Sequence, residues 1–220
     1  MGFRTGEVDL PSLCFVTMVL FEEEVCELEK KISTHPTGGT VFYGSSSIRL
    51  WTTLEQDFPE VQPINVGFGG STLAACAWHF ERLVLPAQPR ALVLYAGDND
   101  LGEGRQPEEV CLFFYVLAEK IQRHLPNVPV TFLSIKPSPA RWIIVDQIRS
   151  ANALIAKAVR EFPQFQFIDA SEAMLTSDGQ PDQSLYEADG LHLSPVGYTR
   201  WQQQLRRKST ALKIQMPVSV

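Results

Sequence analysis

Short β-branched and aromatic runs alternate along this chain with stretches of helical periodicity, and this alternation limits its fold more than any other feature. Strand-like runs fall at 41–43, 61–66, 91–96, 129–135 and 165–168, with helix-like stretches at about 48–57, 73–84, 107–124 and 144–162. A last helix begins near Pro195, for which Ser194 is the expected N-cap. Ahead of the first strand, Phe21, Val25, Leu28 and Ile32 recur at helical spacing among charged residues, so an amphipathic helix is expected from Val19. Strands alternating with helices imply a parallel sheet covered on both faces, a three-layer α/β/α sandwich. Residues 1–17 have no clear periodicity and read as a loose extension, and 18–220 as a single domain without internal repeats or linkers. The turn-rich connection 171–189 is its largest irregular piece.

Composition narrows the function classes. Apolar residues make up 45% of the chain and charged residues 20%, which is ordinary for a globular protein. The net charge of −6 leaves no basic surface for a polyanion, so nucleic acid is not an expected partner. Cys14, Cys26, Cys76 and Cys111 are widely spaced with no Cys-x-x-Cys, and read as reduced, mostly core thiols. The apolar stretch 13–21 has acids on both sides, lacks a small-residue cleavage site, and is far shorter than the ~20 residues of a membrane span. A cytoplasmic protein with no membrane span is therefore expected.

In open parallel sheets, ligands bind at the carboxyl ends of the strands. Here the first run, Val41-Phe42-Tyr43, breaks into Gly44-Ser45-Ser46-Ser47, the second into Gly67-Phe68-Gly69-Gly70, and the third into Gly97-Asp98-Asn99-Asp100. Ser46, Gly70 and Asn99 are thus expected on one rim. A serine hydroxyl is a poor nucleophile without a base, and Asp189-Gly190-Leu191-His192 offers one: His192 to take the proton, with Asp189 a turn earlier to orient it. Taken singly, each residue has a plainer role. Ser46 could cap a helix, with Ser45 and Ser47 as rival nucleophiles; Gly70 could serve a tight turn, Asn99 a left-handed loop position, and Asp189 a turn cap. His35, His79 and His124 read as surface or packing residues. Asp98 and Asp100 flank Asn99 but have no companion ligands nearby in sequence, so no metal is expected.

The order of these four blocks resembles that of the SGNH hydrolases, also called GDSL esterases and lipases, over roughly residues 40–205. The resemblance implies a flavodoxin-like sheet of order 2-1-3-4-5, with a loop returning His192 to the rim. It also implies Ser46 as nucleophile, His192 as base and Asp189 as the third triad member. The Ser46 and Gly70 N–H groups and the Asn99 amide would form an oxyanion hole, with no cofactor. Ser45 stands where the family usually has aspartate, which bears on turn geometry more than on chemistry. The strings 42–51 and 134–142 are similar to a bacterial GSSS-I-R-x-W subgroup of the family. The implied activity is hydrolysis of a small soluble ester with a short acyl group, because no apolar insertion interrupts the blocks. A thioesterase or carbohydrate O-deacetylase would use the same triad, and a non-catalytic flavodoxin-like binding domain is the reading from another class. Arg141, fixed on a rim by Pro137-Ser138-Pro139, is the candidate substrate contact; Arg49, Trp51 and Trp142 are the other candidates for lining the pocket, Trp51 reading better as core filling.

Overall fold

The computed structural model describes residues 21–213; the extension at 1–17, Val19 and Cys14 lie outside them. Five strands form one parallel sheet: β1 Thr40–Gly44, β2 Pro63–Gly67, β3 Ala91–Tyr95, β4 Val130–Leu133 and β5 Phe165–Ile168. Their order is β2-β1-β3-β4-β5, as expected. The helices are α1 Glu22–Thr34, α2 Ser46–Arg49, α3 Leu54–Asp57, α4 Leu73–Leu83, α5 Asp98–Gly102, α6 Pro107–His124, α7 Val145–Ala158 and α8 Pro195–Lys208.

Successive strand residues point to opposite faces, and here both faces are apolar. Val41 and Tyr43 of β1 and Leu92 and Leu94 of β3 pack with Val25 of α1, Phe80 of α4, Phe114 of α6 and Ile155 of α7. Phe42, Val93 and Tyr95 point the other way, to Ile48, Trp51, Phe58 and the α8 residues Trp201 and Leu205. Two buried faces explain why the strands read as unbroken apolar runs rather than as alternating ones. Cys26, Cys76 and Cys111 are free thiols, the last two buried.

Three segments differ from the sequence reading. The helix expected over 48–57 is broken into α2 and α3, because Trp51 between them turns into the core. There it meets Phe42, Phe58, Tyr198 and Trp201, and its indole N–H donates to Asp57 Oδ2 at 2.6 Å. β2 starts at Pro63 rather than 61, since 59–61 forms a 3-10 turn and Gln62 takes φ 47°. Asn99 lies not in a loop but in the first turn of α5.

The chain leaves β1 for β2 on one side and later returns to β3 on the other, so the strand order reverses at β1. Such a switch point opens a crevice at the carboxyl ends. Gly44 at the end of β1 is paired with Gly67 of β2 and Tyr95 of β3, so the three ends are level. Only glycine fits at 44: its φ is +144°, and a Cβ would stand 1.8 Å from the Tyr95 carbonyl oxygen.

Candidate active site

Ser46 is the first residue of α2, immediately beyond the turn that ends β1. The turn is held from three sides. The Ser45 N–H donates to Tyr95 O at 2.9 Å. The Asn65 amide donates to Ile48 O at 2.7 Å while its oxygen accepts from the Gly67 N–H at 3.1 Å. The Tyr198 hydroxyl donates to Ser47 O at 3.0 Å. Ser45 and Ser47 are 0% and 1% exposed, whereas Ser46 is half-buried, so of the three serines Ser46 alone reaches the crevice.

His192 Nε2 lies 3.1 Å from Ser46 Oγ, and His192 Nδ1 lies 2.6 Å from Asp189 Oδ2. The other carboxylate oxygen accepts the N–H groups of Leu191 at 2.8 Å and His192 at 2.9 Å. The Leu191 amide, and then the imidazole, hold the Asp189 carboxyl down at about 2, so an anion always faces Nδ1 at neutral pH. An acceptor at Nδ1 puts the proton there and leaves the Nε2 lone pair toward Ser46; the tautomer follows from the network.

The loop bearing His192 is clamped at its base and its tip. Tyr186 and Leu193 form an antiparallel bridge, and the Glu187 N–H donates to His192 O at 2.8 Å. The segment after β4 grips the rest: the Ala140 N–H donates to Gly190 O at 3.0 Å, and the Tyr186 hydroxyl to Pro137 O at 2.9 Å. Behind it Ser194 caps α8, its Oγ accepting from the Gly197 N–H at 3.3 Å.

Gly70 follows β2 with φ +69°. Asn99 connects that loop to the end of β3, its Nδ2 donating to Ser71 O at 3.0 Å. Arg141, read from sequence as a substrate contact, is turned inward. Its side chain is 17% exposed, Nη2 donates to Asn99 Oδ1 at 2.9 Å, and Nη1 is 3.4 Å from Asp98 Oδ2. The guanidinium is thus engaged by the Asn99 carboxamide and the buried Asp98 carboxylate. Elsewhere Arg49 pairs with Glu24 at 3.4 Å, Trp142 lies beneath the Arg149 guanidinium, and buried His79 packs on Phe21 and Phe68.

Lys136 was missed by the sequence reading. It is 2% exposed, and its ammonium donates to Ser47 Oγ at 3.1 Å, the Tyr95 hydroxyl at 3.1 Å and Asp98 Oδ2 at 2.9 Å. The available signal was its position directly after the run 129–135, the same strand-end rule that singled out Ser46, Gly70 and Asn99. Burial pushes the Asp98 carboxyl up, but the Lys136 and Arg141 charges outweigh it and hold the group below the ordinary carboxylate range. Asp100 faces another way, accepting the Leu73 N–H at 2.9 Å at the start of α4. No cluster of His, Cys, Asp and Glu with metal-binding geometry occurs among the described residues.

Asp100 makes stability pH-dependent. Burial raises its carboxyl from 3.8 to about 6. A raised carboxyl contributes stability that is fully present below its unfolded value and lost as pH rises through the folded one. The window is therefore about pH 4 to 6, and the loss is about 3 kcal/mol. Asp100→Asn keeps an acceptor for Leu73 and has no charge to desolvate. Urea unfolding of both proteins across this window should show the variant gaining on wild type as pH rises; parallel curves would remove Asp100 as the cause.

The sequence matches the GDSL-like lipase/acylhydrolase family over residues 35–200, most of the chain, and the protein belongs to that family. Solved structures share its fold. A protein from Streptococcus pneumonia provisionally named a platelet activating factor superposes with a TM-score of 0.72 at 19% identity, covering 87% of this chain and 97% of its own. A GDSL-like lipase from Bacteroides thetaiotaomicron gives 0.68 at 20% identity, with 83% and 95% covered. The lipase/acylhydrolase from Enterococcus faecalis gives 0.61 at 18%, with 78% and 94% covered. No curated protein matches the sequence. Among the described residues no helix is long and apolar enough to cross a membrane.

Proposed function

We propose that the protein is a serine esterase that cleaves a small soluble ester of short acyl chain through an acyl-enzyme on Ser46. The observation that carries this reading is the hydrogen-bonded series Ser46 Oγ to His192 Nε2 at 3.1 Å and His192 Nδ1 to Asp189 Oδ2 at 2.6 Å. Family membership supports it.

Ser46 Oγ attacks the ester carbonyl carbon as His192 Nε2 takes its proton, and Asp189 stabilises the imidazolium. Negative charge moves to the carbonyl oxygen, where the Ser46 and Gly70 N–H groups and the Asn99 amide serve as donors. The tetrahedral centre collapses, the C–O bond to the alcohol breaks, and the alkoxide takes the proton from Nε2. His192 then draws a proton from water, whose oxygen attacks the acyl carbon; the acid leaves and Ser46 regains its proton.

Beside His192 runs a groove of about 410 Å³ lined by Leu50, Thr53, Glu187, Leu193, Pro195 and Thr199. The groove adjoins His192, and no apolar insertion interrupts the four sequence blocks, which supports a compact substrate. With p-nitrophenyl esters from acetate to decanoate, kcat/KM should be greatest for acetate to butyrate and fall steeply beyond, with no jump at the micelle threshold. A preference for decanoate or a jump at micelles would refute the short-acyl reading. Acetylated sugars and thioesters belong in the same screen, since faster turnover of either would reassign the leaving group and keep the triad.

A further inference from the structure

The short helices α2 and α5, which follow β1 and β3, carry Ser46 and Asn99, and they are joined by charge. The buried Lys136 ammonium reaches Ser47 Oγ on α2 and Asp98 Oδ2 on α5, at 3.1 and 2.9 Å. Asp98, held there, is also met by Arg141 Nη1 at 3.4 Å, and Arg141 Nη2 donates to Asn99 Oδ1 at 2.9 Å. The guanidinium lies against α5 at Gly102, where a Cβ would come within 2.8 Å of it. The residue at 102 therefore leaves the space the guanidinium occupies.

A carboxamide has two ends that a 180° flip exchanges. At Asn99 one end meets a pure donor, the guanidinium, and the other meets a pure acceptor, the Ser71 carbonyl at 3.0 Å. Only one orientation satisfies both. The flipped one sets N–H against N–H and oxygen against oxygen. In the satisfied orientation one Nδ2 hydrogen is spent on Ser71 and the second is left to donate.

We propose that Arg141 is a positioning residue that locks the Asn99 carboxamide in its donating orientation, using the Asp98–Lys136 pair as its anchor. This rests on the esterase reading above and replaces the substrate-contact role for Arg141. Arginine suits the task because its planar fork spans two acceptors, Asp98 and Asn99, whereas a lysine ammonium is a single point charge.

The test measures kcat and KM on p-nitrophenyl acetate for wild type, Arg141→Met, Arg141→Lys, Asn99→Ala and the double variant Arg141→Met/Asn99→Ala. Asn99→Ala removes an oxyanion donor and should lower kcat by about 10²–10³-fold. Arg141→Met frees the amide to flip and should lower kcat by about 10–100-fold, with KM within about twofold of wild type. In the Asn99→Ala background the same change should cost no more than about twofold, because no amide remains to be oriented. Arg141→Lys keeps a cation beside Asp98, and with it the fold, and should still lose about tenfold or more in kcat. Equal losses in both backgrounds, a loss confined to KM, or wild-type kcat in Arg141→Lys would overturn the proposal. Ser46→Ala, assayed in parallel, separates the two levels. An active Ser46→Ala overturns the esterase reading and this proposal with it, whereas an inactive one beside a fully active Arg141→Met overturns the positioning role alone.

Discussion

Alanine at position 46 is expected to lower ester turnover by about 10³-fold or more while leaving the fold intact. The change deletes one half-buried oxygen, the atom 3.1 Å from His192 Nε2. No neighbour can replace it. The Ser45 hydroxyl is fully buried, and the Ser47 hydroxyl is taken up by Lys136 at 3.1 Å. A fluorophosphonate probe, which reports an activated serine by covalent labelling, should modify wild type at Ser46 and fail to modify the variant. Labelling that persists in Ser46→Ala and vanishes in Ser45→Ala would move the nucleophile by one residue and contradict the packing of the turn.

The second large effect is on stability. Lys136→Met should destabilise the protein by about 3–5 kcal/mol, read from urea or thermal unfolding, because it strands a buried carboxylate. The Lys136 and Asp98 side chains are 1% and 5% exposed, so water cannot replace the lost partner. Arg141 stays near Asp98 but at 3.4 Å, longer than the 2.9 Å Lys136 contact. Adding Asp98→Asn should restore part of the loss by removing the charge that lacks a partner. A cost below about 1 kcal/mol for Lys136→Met would show that Arg141 alone suffices to neutralise Asp98.

The sheet was legible because its physics is local and periodic. Both faces of each strand are covered, so Val41-Phe42-Tyr43 and 91–96 read as strands without knowledge of their partners. Ser46, Gly70 and Asn99 were legible for a related reason, since a parallel sheet brings its strand ends to one rim. The break at Trp51 was not legible, because the segment has helical composition and only the aromatic cluster with Phe58 and Trp201 pulls it out of a helix. The inward turn of Arg141 was hidden for another reason. An arginine in a proline-rich rim segment looks solvent-facing until a buried anion is known to lie beside it, and Asn99, next to that anion in the chain, is 42 residues from Arg141. Lys136 was passed over because lysine is almost never fully buried unless paired, and the pairing is a tertiary fact.

Ser46 and His192 are 146 residues apart, and every strand of the sheet is made between or before them. On the proposed chemistry, this spacing orders events during synthesis. A growing chain whose five strands have all emerged still presents a serine with no base, because His192 arrives later and is aimed only once its loop is gripped by the Pro137 and Ala140 backbone. On that chemistry, hydrolytic competence waits on the docking of the loop that carries His192.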